Sequence, residues 1–312
     1  MVVGLTPTPT STAKPQSDVL PGGTVLPRRT IRLRGGDIAY VDQGGGGDGD
    51  GTPAAVALFV HGVLVNADIW RNVIWDVADV RRCIAPDLPA HGASPAGDAA
   101  DLTLKGHAAM LDELCGRLGF DQLDLVANDT GGAVAQVFAA RFPGRVRTLT
   151  LTNCDVHDNF PPESFKPFVA LAEAGELGPM VAAMAGDLEA ARSEVGYAQG
   201  YAKPDQLSDE LLRSYLGAFV PDQGKGLERF LTSPTADELM AVEPLLAALE
   251  APAQVAWGTA DIFFGPEWAE RLRDLIPSVE RVTLVPDAML FWPDDRAADL
   301  VPLLREFWAA HG

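Results

Sequence analysis

The chain has 312 residues, 47% of them hydrophobic, enough for one large α/β domain or for a core with an inserted subdomain. Its 43 acidic against 24 basic residues leave a net charge of −19, which opposes a phosphate-tracking surface and argues against nucleic acid or an anionic membrane as partner. Cys83, Cys115 and Cys154 are too few and too scattered for a disulfide framework or a metal site, no stretch approaches the ~20 apolar residues of a membrane helix, and no secretory signal is evident; the expected compartment is the reducing cytoplasm.

Residues 1–25 are rich in Thr, Pro and Ser and are expected to form a disordered tail. Thr30–Arg34 and Ile38–Val41 alternate around Gly35 and Gly36, the pattern of a hairpin, and Gly44–Pro53 reads as a flexible surface loop that opens no helix. Ala54–Val60 is a continuous apolar run of the kind covered on both faces of a sheet, and it ends in His61 and Gly62. A helix over Ile69–Val77, a short strand at Cys83–Ala85 and a helix over Asp101–Leu118 follow. The apolar run Leu123–Ala127 then stops at Asn128, Asp129 and Thr130, and an Ala/Val-rich helical run opens at Gly131 and Gly132. A strand that turns without a loop into a helix holds its turn residue strained and exposed at the sheet edge. Ser usually occupies that tip; here it is Asp129, for which a plain helix N-cap is the structural alternative. Thr148–Thr152 is the next strand. Strands alternating with helices predict a mostly parallel sheet covered on both faces, with ligands at the carboxyl ends of the strands.

From Asp155 the α/β rhythm breaks, and through Glu243 only helical segments appear. The excursion reads as a helical lid whose aromatics and methionines line an apolar pocket, although most of them pack the lid itself. The rhythm resumes at Ala253–Trp257, continues through a helix near Pro266 and a strand at Val282–Val285, and closes with a helix over Asp294–Ala310. The expected organisation is a core of residues 26–154 and 244–312 with a lid over 155–243. No phosphate loop, nucleotide fingerprint or metal cluster appears, so no cofactor and no metal are expected, and the partner is a small-molecule substrate.

Four stretches in order give the chain its likeness to a known family: Phe59–Gly62, Asp87–Ser94, the turn at Asp129, and Trp257–Asp261. From about residue 30 onward it resembles the α/β-hydrolase superfamily. With Asp at the nucleophile turn it looks like the branch of haloalkane dehalogenases and epoxide hydrolases. Displacement at an sp³ carbon needs a nucleophile that stays ionised near neutral pH, as Asp does and Ser does not. The resemblance makes Asp129 the nucleophile, the amides of Thr130 and Val63 the charge-stabilising donors, and Asp261 the acid partner, with a cap before the helix at Pro266 as the alternative for Asp261. It gives His61 a structural place beneath the oxyanion loop. Asn153 orients Asp129 or a water, or is a plain strand-end polar residue.

The chain also departs from that pattern. Where the family's catalytic histidine is expected, the sequence has Leu290, or Met289 with a one-residue shift. His157, at the start of the lid, is the one other histidine placed to reach the pocket. Dehalogenases commonly have Trp after the nucleophile and Asn, Pro after His-Gly; here Thr130, Val63 and Leu64 occupy those positions. Tyr197, Tyr201 and Tyr215 are candidates for protonating an opening epoxide oxygen. The leading expectation is hydrolysis of a small apolar molecule through an alkyl-enzyme ester. The alternatives are carboxylate acid/base chemistry (an isomerase, cyclase or lyase) and a catalytically silent ligand-binding protein.

Overall fold

The computed structural model describes residues 25–45 and 55–312, so the expectations for the tail and for most of the loop at Gly44–Pro53 lie outside the described residues. Eight strands, β1 (Arg29–Leu33), β2 (Gly36–Gln43), β3 (Val56–Val60), β4 (Arg82–Pro86), β5 (Leu123–Asp129), β6 (Val146–Cys154), β7 (Ala253–Gly258) and β8 (Val279–Val285), form one sheet in the order β1-β2-β4-β3-β5-β6-β7-β8. β1, β2 and β4 pair antiparallel, and every other pairing is parallel. The mostly parallel sheet read from the alternation of elements is present.

The central strands are buried along their whole length, as continuous apolar runs in a doubly covered sheet must be. Their register aligns Leu58 with Leu125 and Leu125 with Leu149, so large side chains stack across the middle. Helices α1 (Arg71–Val77), α2 (Leu104–Leu118), α3 (Thr130–Arg141), α11 (Pro266–Leu275), α12 (Trp292–Asp295) and α13 (Ala297–Ala310) flank the sheet; α3 packs on β3, β5 and β6, α11 on β7 and β8, and α12 and α13 lie beside α1. α2 shows why such a segment stops where it does: Thr103 caps its first turn through Gly106 N, and Gly119 ends it in the left-handed region at φ 78°.

Between β6 and β7 the chain leaves the sheet and runs through α4 (Lys166–Glu173), α5 (Leu177–Met184), α6 (Leu188–Arg192), α7 (Asp209–Leu216), α8 (Lys225–Thr232), α9 (Ala236–Met240) and α10 (Glu243–Leu246). The final helix expected from Asp294 is in fact two. α12 ends at Asp295, Arg296 leaves helical geometry at φ −132° and ψ 35°, and α13 begins at Ala297. Among the described residues, no helix is long and apolar enough to cross a membrane. All three cysteines are buried and unbridged.

Candidate active site

β5 delivers Asp129 to the carboxyl edge of the sheet with φ 56° and ψ −140°, a conformation that non-glycine residues rarely adopt. The backbone can turn this sharply because its neighbours are small. A Cβ on Gly131 would overlap the main chain at Val60 and His61, and one on Gly62 would overlap the Asp129 carboxylate. Asp129 does not cap α3 through its side chain. Its Oδ2 accepts a hydrogen bond from Val63 N at 2.8 Å, and the Thr130 amide donates to the same carboxyl group. The two amides that the sequence singled out therefore do meet the carboxylate.

Above Asp129 lies a cavity of about 120 Å³. Val63, Leu64, Thr130, Asp155 and Leu290 line its core side, and Met180, Met184, Phe160, Phe165 and Phe168 belong to the helical excursion. This surrounding is almost entirely apolar. Burial pushes the Asp129 carboxyl up to about 7, against the pull of the Val63 and Thr130 amides.

Asp261 sits close enough to sense the charge on Asp129, and burial pushes it too up to about 7. Its Oδ1 accepts from Phe263 N at 2.8 Å, Asn153 also hydrogen-bonds the carboxyl group, and Oδ2 has no partner. It does not cap α11, where Gly265 precedes the first turn without a side-chain bond. Asn153 makes its hydrogen bonds with groups other than Asp129. Its Oδ1 accepts from Gly258 N at 2.6 Å and from Trp292 Nε1 at 3.0 Å, and its Nδ2 donates to Gly258 O at 3.0 Å, which ties β6 to β7 beneath Asp261.

The histidines are engaged elsewhere. His61 is fully buried; Nδ1 donates to Gly62 O and Nε2 accepts from Leu88 N, both at 2.8 Å, which fixes the loop that carries Val63. His157 does not line the cavity; its Nδ1 lies 2.6 Å from Glu243 Oε1. Among the described residues no histidine lines the cavity, and Leu290 does line it. Asn128 Nδ2 donates to Leu290 O at 3.0 Å and holds that segment against β5.

Of the three tyrosines, only Tyr197 lines the cavity, and its hydroxyl is spent on Leu64 O at 2.5 Å. Tyr201 and Tyr215 lie outside it, their hydroxyls 3.0 Å apart, with Tyr201 also donating to Asp294 Oδ2 at 3.1 Å. The residue that sequence reasoning missed is Asp155. It follows β6 directly, is 1% exposed and lines the cavity beside Thr130. The signal was available, since the carboxyl ends of parallel strands are where ligands bind. The expected core stops at residue 154, which puts Asp155 at the start of the excursion instead of at the strand end. The described residues contain no group of three or more His, Cys, Asp or Glu arranged to hold a metal ion.

Residues 56–289 match the model of the alpha/beta hydrolase fold family. Over 305 residues, 92% of this chain and 97% of the relative, the sequence is 26% identical to a cis-3-alkyl-4-alkyloxetan-2-one decarboxylase of Xanthomonas campestris pv. campestris. Over 129 residues, 41% of this chain and 39% of the relative, it is 37% identical to a haloalkane dehalogenase of Mesorhizobium japonicum. Among solved structures, a putative ancestral haloalkane dehalogenase superposes with a TM-score of 0.74 at 25% identity, covering 90% of this chain and 98% of that one.

Proposed function

The chain belongs to the alpha/beta hydrolase family, and on that premise we propose that it is an enzyme that opens a small, largely apolar organic molecule through Asp129. The Asp129 carboxylate attacks an electrophilic carbon to give an alkyl-enzyme ester, and water then hydrolyses the ester. Residues 155–243 act as the lid over that reaction. The observation that carries this reading is the Asp129 side chain itself. A strained strand-to-helix turn raises it to the floor of an apolar cavity, and the Val63 amide is already hydrogen-bonded to the oxygen on which charge develops when the ester is attacked by water.

The named relatives support the substrate class, since an alkyl-substituted oxetanone and a haloalkane are both small molecules with largely hydrocarbon bodies. Leu290 replaces the imidazole that would speed ester hydrolysis, which makes the site atypical for the family. Thr130 and Val63 replace the residues that cradle a halide in dehalogenases, and Leu64 replaces a proline that epoxide hydrolases share, so the site departs from both familiar activities.

The test is to incubate the protein with bromohexane or styrene oxide and to map covalent mass by peptide analysis. Modification of the Asp129 peptide in the wild type, absent from Asp129→Asn, is the expected result. Turnover that survives Asp129→Asn, or no turnover and no adduct with either compound, overturns the reading.

A further inference from the structure

Asp155 reaches the cavity wall on a backbone held in place from behind: Gln136 Nε2, on α3, donates to Asp155 O at 2.8 Å and to Gly132 O at 3.1 Å. Its side chain is 1% exposed, lines the same cavity as Asp129, and leaves Oδ2 without a hydrogen-bond partner. Thr130 stands between the two carboxyl groups, its amide donating to Asp129 and its hydroxyl bonding Asp155. Resting on the reading of Asp129 as nucleophile, we propose that Asp155 serves first as general acid and then as general base in this site, and that the substrate has an oxygen leaving group in a strained ring.

The proton starts on the right atom. Burial and the neighbouring charge of Asp129 push Asp155 well above the usual carboxyl range, whereas Asp129, held by two amides, lies near 7. When the pair carries a single negative charge, it sits on Asp129 and the proton on Asp155. The other groups facing the pair are Asp261, whose charge raises Asp155 further, and the Cys154 thiol, which burial keeps protonated. Beyond Asp155 itself, the helical excursion contributes no charged side chain to the lining.

In the first step the Asp129 carboxylate bonds to a ring carbon, the carbon–oxygen bond breaks, and the leaving oxygen takes the Asp155 proton. The products are a hydroxyalkyl ester and an Asp155 carboxylate. In the second step that carboxylate takes a proton from water as the hydroxide adds to the Asp129 carbonyl carbon, with the developing oxyanion facing Val63 N and Thr130 N. Collapse expels the alkyl oxygen, which takes the proton from Asp155. The Asp129 carboxylic acid then returns its own proton to Asp155. The net change is ring plus water to diol, with both carboxyl groups restored. A halide leaves as an anion and gains nothing from the proton on Asp155, which would have to be shed to solvent before the second step; the site is therefore matched to oxygen.

The test compares wild type with Asp155→Asn and Asp155→Glu on styrene oxide and bromohexane. Asp155→Asn is expected to slow styrene oxide turnover by about 10²–10⁴-fold, to accumulate a stable adduct on the Asp129 peptide with bromohexane, and to recover partly with added formate, while Asp155→Glu keeps part of the rate. The wild-type rate on styrene oxide is expected to fall on the alkaline side as Asp155 loses its proton. That limb is read from the wild type alone, so the assignment stays testable if the Asn variant does not fold. Adduct on Asp129 with styrene oxide turnover unimpaired in Asp155→Asn, or with no alkaline limb, overturns the Asp155 assignment and leaves the nucleophile standing. Ester formation from bromohexane with styrene oxide untouched by the wild type overturns the oxygen-leaving-group assignment. Turnover that survives Asp129→Asn instead overturns the reading on which both rest.

Discussion

Asp129 is aimed by two glycines that do different jobs. Gly131 lets α3 start against the end of β3, and Gly62 leaves the space that the Asp129 carboxylate fills. A methyl group at Gly62 would push the carboxylate off Val63 N, and a displaced reacting group loses most of its positioning advantage. Gly62→Ala is therefore expected to slow ester formation on Asp129 by about 10²-fold or more while the far-ultraviolet circular dichroism stays native. Adduct formation at the wild-type rate would show that the carboxylate does not need this seat. Asp129, Thr130, Val63 and His61 were legible in the sequence because each lies in a short motif whose backbone does the positioning. Tyr201, Tyr215 and His157 were not placed correctly. Being aromatic and near the right element says nothing about which way a side chain points, and here those side chains turn to Asp294, to each other and to Glu243.

The helical excursion is fastened to the core by a small polar cluster at one end of α7. Asn66 Oδ1 accepts from Asp68 N at 2.9 Å, its Nδ2 donates to Ser214 O at 3.0 Å and to Ser214 Oγ at 2.8 Å, and Ser214 Oγ donates to Asp68 Oδ2 at 2.7 Å. Arg28 closes the cluster from β1's side, paired with Asp68 and Asp87. Asn66 is nearly fully buried, so Asn66→Ala removes a turn cap and leaves Ser214 O without its side-chain donor. The expected cost is about 1–3 kcal/mol of unfolding free energy, with amides of Asp209–Leu216 exchanging faster than those of β5. Equal acceleration in both elements would mean that the cluster stabilises the molecule generally and is no fastening. Strand and helix identities were readable from period and length alone along the whole core, because a buried parallel strand is a run of apolar residues with few alternatives. The break between α12 and α13 was not. It depends on Asp294, which accepts from Asn72 Nδ2 at 2.9 Å, pairs with Arg71 at 3.3 Å and accepts from Tyr201, partners far from it along the chain.

Across the whole molecule, two sets of buried groups pull stability in opposite directions with pH. Burial raises Asp129, Asp261 and Asp294 to about 7, so in the window between about 4 and 7 the folded chain keeps protons that the unfolded chain has released. Each of these carboxyls favours folding at the acid end of that window and loses its contribution as pH rises through the folded value. His61, lowered to about 3, His107, lowered to about 4, and His91, lowered well below its ordinary 6.5, work the other way. They stay neutral while the unfolded chain protonates, so their contribution is lost as pH falls below about 6.5. Between about pH 4 and 6.5 the two sets oppose each other, and Asp155, also raised by burial, adds to the carboxyl side. Above that only the carboxyl set still acts, and the net charge of −19 adds repulsion in the same direction. Removing one carboxyl isolates its share. Asp129→Asn is expected to match the wild type near pH 4 and to exceed it by about 2–4 kcal/mol near pH 8, since each tenfold change in proton affinity is worth about 1.4 kcal/mol. Denaturant unfolding of both proteins across that range checks it. Two parallel stability curves would show that Asp129 ionises in the folded chain as freely as in the unfolded one, and would remove the desolvated carboxyl on which the chemistry of the cavity depends.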